Sequence, residues 1–274
     1  MHRTLRRSLL IFSALLVAGS APPARAEAVP GDANYFQKLQ EVRSERQRSL
    51  IREFFAGRRG GVFVDVGSAH YRDLNMTYFL ERDFGWSGVA IDALERWRPG
   101  YEKHRPQTRF YTYIVTDHAG TQEPFFRLEG DIGSTSLPGR ADLLENDWNR
   151  EVTEILVPTT TLDALLAEAG VEKVDFLSMD IEGAELTALA AFDIERFRPQ
   201  LVGIEVFPEN QQGILDYFER HGYRRIDEYA ERHHGDWFFT CKVPASCAPQ
   251  PSATPAEPSA PPEGATSSPP ATEG

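Results

Sequence analysis

Val62-Phe63-Val64-Asp65-Val66 runs directly into the glycine turn Gly67-Ser68-Ala69-His70. A short strand that is apolar on both alternating faces is covered on both sides, since a strand with one wet face would alternate apolar with polar. The same kind of run recurs at Val89-Ala90-Ile91-Asp92, Phe110 to Val115, Val174 to Met179 and Leu201 to Val206. Between these runs, Leu74 to Asp83, Glu95 to His104, Leu162 to Ala169, Ala184 to Phe192 and Gln211 to His221 read as amphipathic helices, the second interrupted at Pro99-Gly100. Buried strands separated by helices predict an α/β fold, a doubly wound and mostly parallel sheet with helices on both faces. Tyr223 to Asp227 and Trp237 to Cys241 close it as a hairpin with one antiparallel member, giving seven strands. The stretch from Asp117 to Thr160 is less regular. It reads as a strand at Pro124 to Leu128 followed by a polar loop with Gly130, Gly133 and Pro138-Gly139.

The flanks differ from this pattern. Residues 1–26 follow the plan of an export signal: Arg3, Arg6 and Arg7, the apolar run Leu9 to Ala18, and Ala24-Arg25-Ala26 as a cleavage site. The apolar run of roughly ten residues is shorter than the ~20 needed to span a bilayer, which favours cleavage and a periplasmic or secreted protein. Arg6-Arg7 leaves the twin-arginine route open, and an uncleaved leader leaves a cytoplasmic or membrane-tethered one. Residues 27–61 contain a helical segment, Ala33 to Phe55, ended by Gly57 and Gly60-Gly61. The domain is expected to occupy residues 62–243, and the Pro, Ala, Ser and Thr of residues 244–274 read as a disordered tail. The net charge of -12 repels phosphate backbones and argues against nucleic acid as a partner. Removal of the leader takes four arginines and no acid, so the remainder is more acidic still. Cys241 and Cys247, the two cysteines of the chain, either pair across a small loop or remain thiols.

In a doubly wound sheet, ligands lie beyond the carboxyl ends of the strands, where the strand order reverses. Four strands carry acids near that end: Asp65, Asp92, Asp180 and Glu205. Buried strands otherwise exclude charge. Gly67 lets backbone come close to a ligand in the loop Asp65-Val66-Gly67-Ser68-Ala69-His70, the candidate nucleotide site. Asp92, about 25 residues further on, stands where an acid accepts hydrogen bonds from ribose hydroxyls in nucleotide-binding α/β folds. A capping Asp and a turn Gly give the same letters. The turn Asp180-Ile181-Glu182-Gly183-Ala184-Glu185 sets three carboxylates within six residues. Such a set can take a proton from an attacking hydroxyl, orient a substrate, hold a divalent cation through Asp180 and Glu182, or cap the helix that follows. His70 and His118 read as candidate contacts or as solvent-facing loop residues, and His233-His234 as a polar turn. Asn75 reads as a helix start, Trp86 and Trp237 as core, and Trp97 and Trp148 as either core or platform.

FVDVGSAHYRDLNMTYFLERDFGWSGVAID, VPTTTLDALL and VDFLSMDIEGAELTALAAFD resemble the three signature blocks of the FkbM family of methyltransferases, over about Val62 to Lys242. The resemblance implies a Rossmann-like methyltransferase sheet, S-adenosylmethionine as cofactor, and a hydroxyl of a small molecule or saccharide as methyl acceptor. It implies that Asp65 and Gly67 meet the methionine end of the cofactor, Asp92 the ribose and Asp117 the adenine side; the catalytic set, Asp180, Glu182 and Glu185, is read from the acidic turn itself. The loop departs from the family's D-x-G-x-N-x-G at Ala69 and Tyr71, the second adding bulk where backbone normally nears the ligand. An exported domain that binds a small ligand or partner without turnover is the other reading. A nicotinamide-dependent oxidoreductase is disfavoured because the loop lacks G-x-G-x-x-G.

Overall fold

The computed structural model describes residues 33–128, 134–146, 151–229, 235–243 and 247. The leader, Trp148, His233-His234 and the tail after Val243, apart from Cys247, lie outside them. Residues through Val42 form one unit, described only as the opening of helix α1 (Ala33–Phe54); Arg43 onward forms the second, which holds the sheet.

Strand β1 (Val62–Val66) leads through a loop to α2 (Tyr78–Phe84), β2 (Ser87–Asp92), a 3-10 turn at Glu95–Trp97, α3 (Arg98–His104) and β3 (Thr108–Thr112). Next come β4 (Ile114–Val115), β5 (Gln122–Leu128), α4 (Pro138–Asn146), β6 (Val152–Thr160) and α5 (Leu162–Glu168). The chain closes with β7 (Phe176–Met179), α6 (Glu185–Ala190), α7 (Ile194–Phe197), β8 (Leu201–Val206), α8 (Gln211–Arg220), β9 (Tyr223–Arg225) and β10 (Gly235–Cys241). The seven-stranded sheet runs β3-β2-β1-β7-β8-β10-β9. Its first five strands are parallel, and β10 is antiparallel to both neighbours, as the closing hairpin predicts. From β1 the chain builds outward through β2 and β3, then returns to β7 and β8 on the other side. The reversal therefore lies between β1 and β7, and the crevice opens at their carboxyl ends.

Alternation along β1 explains the two-sided burial. Phe63 points into a cluster with Ile51, Phe55, Phe79, Trp86 and Phe176, while Val64 and Val66 point into another with Ile91, Leu165, Met179, Ile204 and Phe218. Trp86 and Trp237 are core, as read from the sequence. Trp86 also donates its indole N–H to the Arg58 carbonyl at 2.8 Å, which satisfies the polar end of a wholly buried ring. Cys241 and Cys247 are joined as a disulfide, and both are buried.

Three departures from the sequence reading matter for the site. The run Phe110 to Val115 breaks at Tyr113: β3 stays in the main sheet, and β4 starts a second sheet of order β4-β6-β5. Pro138-Gly139, read as loop, opens α4, because proline suits a first helical turn where its missing N–H bonds nothing anyway. Likewise Pro99 sits in the first turn of α3 and begins that helix where an interruption was expected.

Candidate functional site

Main-chain contacts fix the β1 turn first. The N–H groups of Gly67 and Ser68 both donate to the Ile91 carbonyl, at 2.9 and 3.1 Å, and the Asp180 N–H donates to the Val66 carbonyl at 2.9 Å. The β1, β2 and β7 ends are thus drawn into one rim. Gly67 has φ +79, and a Cβ built on it would lie 1.7 Å from the Asp180 carbonyl oxygen. No other residue allows both the left-handed backbone and that approach.

Asp65 is buried beneath the turn. It accepts from the Thr77 hydroxyl at 2.7 Å and the Asn75 amide at 3.0 Å. Burial raises its pKa, against which the Thr77 bond, the Arg105 charge and the Asn75 bond act. Asn75 is the hub of the loop. Its amide nitrogen also lies 3.0 Å from the Ser68 carbonyl and 3.1 Å from the Tyr101 hydroxyl, and its carbonyl takes the N–H groups of Thr77 and Tyr78 at the start of α2. Arg105, wholly buried, donates to Glu81 at 2.5 Å, to the Tyr71 carbonyl at 3.0 Å and to Thr77 at 3.2 Å. Neither Tyr101 nor Arg105 stands out in the sequence, because α3, which carries the first and ends just before the second, meets the loop only in the folded chain. The Ser68 hydroxyl is buried without a partner.

Asp92 closes β2 and remains partly accessible, though closely surrounded by protein atoms. Its two oxygens accept one backbone N–H each, from Ala69 at 2.9 Å and Leu94 at 2.8 Å, which leaves acceptor capacity on both for a pair of hydroxyls. Burial pushes its pKa up to about 6, against the two backbone bonds. Just past it opens a cavity of about 290 Å³ lined by Ala93, Leu94, Thr112, Ile155, Val157 and Pro158. Strand β6, missed in the sequence, supplies Ile155, Leu156, Val157 and Pro158 to that lining, and Glu95, Arg96 and Arg127 add charged groups to it.

The substitutions at Ala69 and Tyr71 are absorbed. Ala69 takes the left-handed backbone, φ +45, that asparagine adopts more readily. The Tyr71 ring packs on Gly100, whose Cβ would come within 2.6 Å of it, and stacks on His104 at 4.6 Å. The glycine that reads as a helix interruption is the seat for that ring. His70 accepts the Asp73 N–H on Nδ1 at 3.0 Å and meets Trp97 edge-on at 5.8 Å. Asp117 is exposed after β4 and paired with His118 at 2.7 Å, and His118 also reaches Glu123. The His118 contact holds the Asp117 carboxyl below its ordinary value, and Asp117 followed by Glu123 raises His118. Among the described contacts, none joins Asp117 to the β1 or β2 turn.

Across Gly67 lies the acidic turn after β7. Oxygens of Asp180, Glu182 and Glu205 lie within 4.8 Å of one another. Asp236 stands opposite Glu205 in the β8–β10 register and accepts from the Gln47 amide. Asp180 is open to solvent but sits in a hollow dense with protein atoms. That desolvation, followed by the charges of Asp236 and Glu182, raises its pKa well above the carboxylate range. Glu205 is raised in the same direction, by burial and then by the Asp180 charge. Glu182, at φ +56, pairs with Arg140 of α4 at 3.0 Å. The Arg140 guanidinium lies 3.8 Å over the Phe207 ring. Glu185 has no accessible surface. One of its oxygens takes the N–H groups of Ile181 and Gly183, both at 3.1 Å, and the other takes the Asn210 amide at 3.1 Å. It clamps the turn that presents Asp180 and Glu182. Arg140 and Asn210 carry no local signal in the sequence; α4 itself was read as loop.

A search of curated proteins returned no match. Among solved structures, a TehB-like SAM-dependent methyltransferase from Corynebacterium glutamicum is similar at 12% identity, covering 76% of this chain and 96% of that one, with a TM-score of 0.41. A putative ribosomal RNA methyltransferase from Plasmodium falciparum is similar at 9% identity, covering 72% and 94%, with a TM-score of 0.40. The model of the methyltransferase FkbM domain matches residues 65–225, more than half of the chain and all of the rim from Asp65 to Glu205. The chain therefore belongs to the FkbM methyltransferase family.

Proposed function

We propose that this protein transfers a methyl group from S-adenosylmethionine to a hydroxyl oxygen of a small molecule or saccharide. The observation that carries the reading is the meeting, at the Gly67–Asp180 backbone contact, of an accessible strand-end carboxylate and a crowded acidic cluster. The cofactor supplies a methyl carbon bound to a positively charged sulfur. Asp92 holds the ribose hydroxyls, and the cavity beyond it takes the base. Gly67, Ser68 and His70 border the methionine end, while Asp65 acts through Asn75 and Thr77 to hold that loop. Asp180 would take the hydroxyl proton of the acceptor, and the group held at this rim would supply an electrophilic methyl with a neutral sulfide as its leaving group. A carboxylate pushed toward neutrality by its surroundings is a better base than an ordinary one. Glu182 orients the acceptor, and Glu185 positions the turn from behind. The adenine-side role of Asp117 rests on the family resemblance. An acidic chain favours an acceptor without a phosphate backbone. The leader places the enzyme outside the cytoplasm, which fusing its first 30 residues to a reporter active only after export would check.

Asp92→Ala is expected to weaken S-adenosylmethionine binding by roughly 1.5–3 kcal/mol, about 10- to 150-fold, as measured by calorimetric titration. Unchanged affinity would place the ribose elsewhere. The same carboxylate predicts a pH dependence. Its ionised form accepts the hydroxyls, so affinity rises with pH through about 6 and falls by up to about tenfold per unit below it. In the unliganded protein the sign is opposite for stability: burial favours the protonated form, a contribution full below about pH 4 and lost as pH rises through 6. If Asp92→Ala keeps the wild-type pH profile of binding, another group is responsible.

A further inference from the structure

We propose that Asp180, Glu182 and Glu205 form a binding site for one hard divalent cation of the magnesium, manganese or calcium class. The site draws on the turn after β7 and on the carboxyl end of β8, so its ligands come from two elements that the sheet holds in register. Their oxygens lie within 4.8 Å of one another, the span of ligands on opposite sides of one ion with metal–oxygen bonds of about 2.1–2.4 Å. Such a cluster can be merely acidic surface. A second observation argues otherwise: Glu205 is 7% exposed, and its Oε2 is buried with no hydrogen-bond donor. Buried carboxylate oxygens normally receive a donor from the protein, and a cation would supply what is missing.

The donor set selects the class of ion. All three ligands are carboxylates, and among the described residues no imidazole or thiolate joins them, which suits oxygen-seeking ions over zinc or copper. Asp180 is open to solvent, so an ion has an entry path and keeps positions for water or for an acceptor oxygen. Arg140 pairs with Glu182, and the Gln47 amide reaches Asp236 on the far side of Glu205. Glu182 is held in its left-handed backbone by Thr135 on its carbonyl and by the Glu185 clamp on the neighbouring N–H groups, so the turn is formed before any ion arrives.

The site shares Asp180 and Glu182 with the methyl-transfer reading, and it is tested without cofactor so that its failure and the failure of that reading are distinguishable. Mn2+ is titrated into the full-length, metal-free protein at pH 7.5, and the loss of the free-ion spin-resonance signal is followed. One ion bound per chain, displaced by Mg2+, is expected, with Glu205→Gln weakening it at least tenfold and the exposed control Glu154→Gln leaving it unchanged. Thermal melting adds a readout that folding defects cannot imitate. Mn2+ should raise the melting temperature of the wild type but not of Glu205→Gln, whose metal-free melting temperature should be no lower than that of the wild type because a buried charge has been removed. No binding up to about 1 mM, the weak end for oxygen-ligand protein sites, overturns the proposal. So does equal binding by Glu205→Gln.

Discussion

Arg105→Met is expected to destabilise the folded protein by about 3–5 kcal/mol, as a lower urea midpoint at unchanged slope. The guanidinium is completely buried, paired with a Glu81 that is 6% exposed, and bounded by the rings of Phe63, Tyr78 and Tyr101 within 5.6 Å. Removing it leaves the buried Glu81 carboxylate with, among the described residues, the Gln107 N–H and the Thr108 hydroxyl as donors. A buried pair broken on one side costs far more than the pair contributes when intact. The double variant Arg105→Met, Glu81→Leu should therefore recover most of the loss, since neither charge then remains. Equal destabilisation of single and double variants would show that packing, and not the stranded charge, is responsible. Both variants should also bind cofactor less tightly, because Arg105 is what holds the Tyr71 carbonyl at the end of the β1 loop.

The second large effect is at Gly67. Gly67→Ala forces an L side chain into φ +79 and sets a methyl group against the Asp180 carbonyl, so the β1 and β7 turns must separate. The strained backbone accounts for about 1–2 kcal/mol and displacement of main chain for a similar or larger amount, giving roughly 3–5 kcal/mol in all. Both halves of the site should fail together: cofactor affinity, which depends on Asp92 and the loop, and the geometry of Asp180. A fold of wild-type stability in this variant would mean that the two turns are not in contact.

Much of the fold is legible because the parallel strands are apolar on both faces. Leu201–Val206 is read to the residue, and the antiparallel closing member follows from the hairpin at Tyr223 and Trp237. What escapes reading has a physical cause. β6 carries Thr153, Glu154 and Pro158 and exposes Leu156, so it shows neither a buried run nor a clean alternation, although it lines the cavity beside Asp92. Leu74 to Thr77 has a helical pattern, but Asn75 and Thr77 turn inward to Asp65 and α2 begins only at Tyr78. The strand-end acids are visible as letters, and their division into turn-holding and cleft-facing groups is not. Asp65 and Glu185 are enclosed by donors, whereas Asp92 and Asp180 face open space. Tyr71 is read as bulk near the ligand until Gly100 shows where the ring goes.

The central claim, a working cofactor site on the rim from Asp65 to Asp92, is tested most directly by calorimetric titration of the purified protein with S-adenosylmethionine and with its demethylated product. Saturable heat from one site per chain for both ligands, lost together in Gly67→Ala, is the result predicted. Absence of heat with either ligand at millimolar concentration would contradict it.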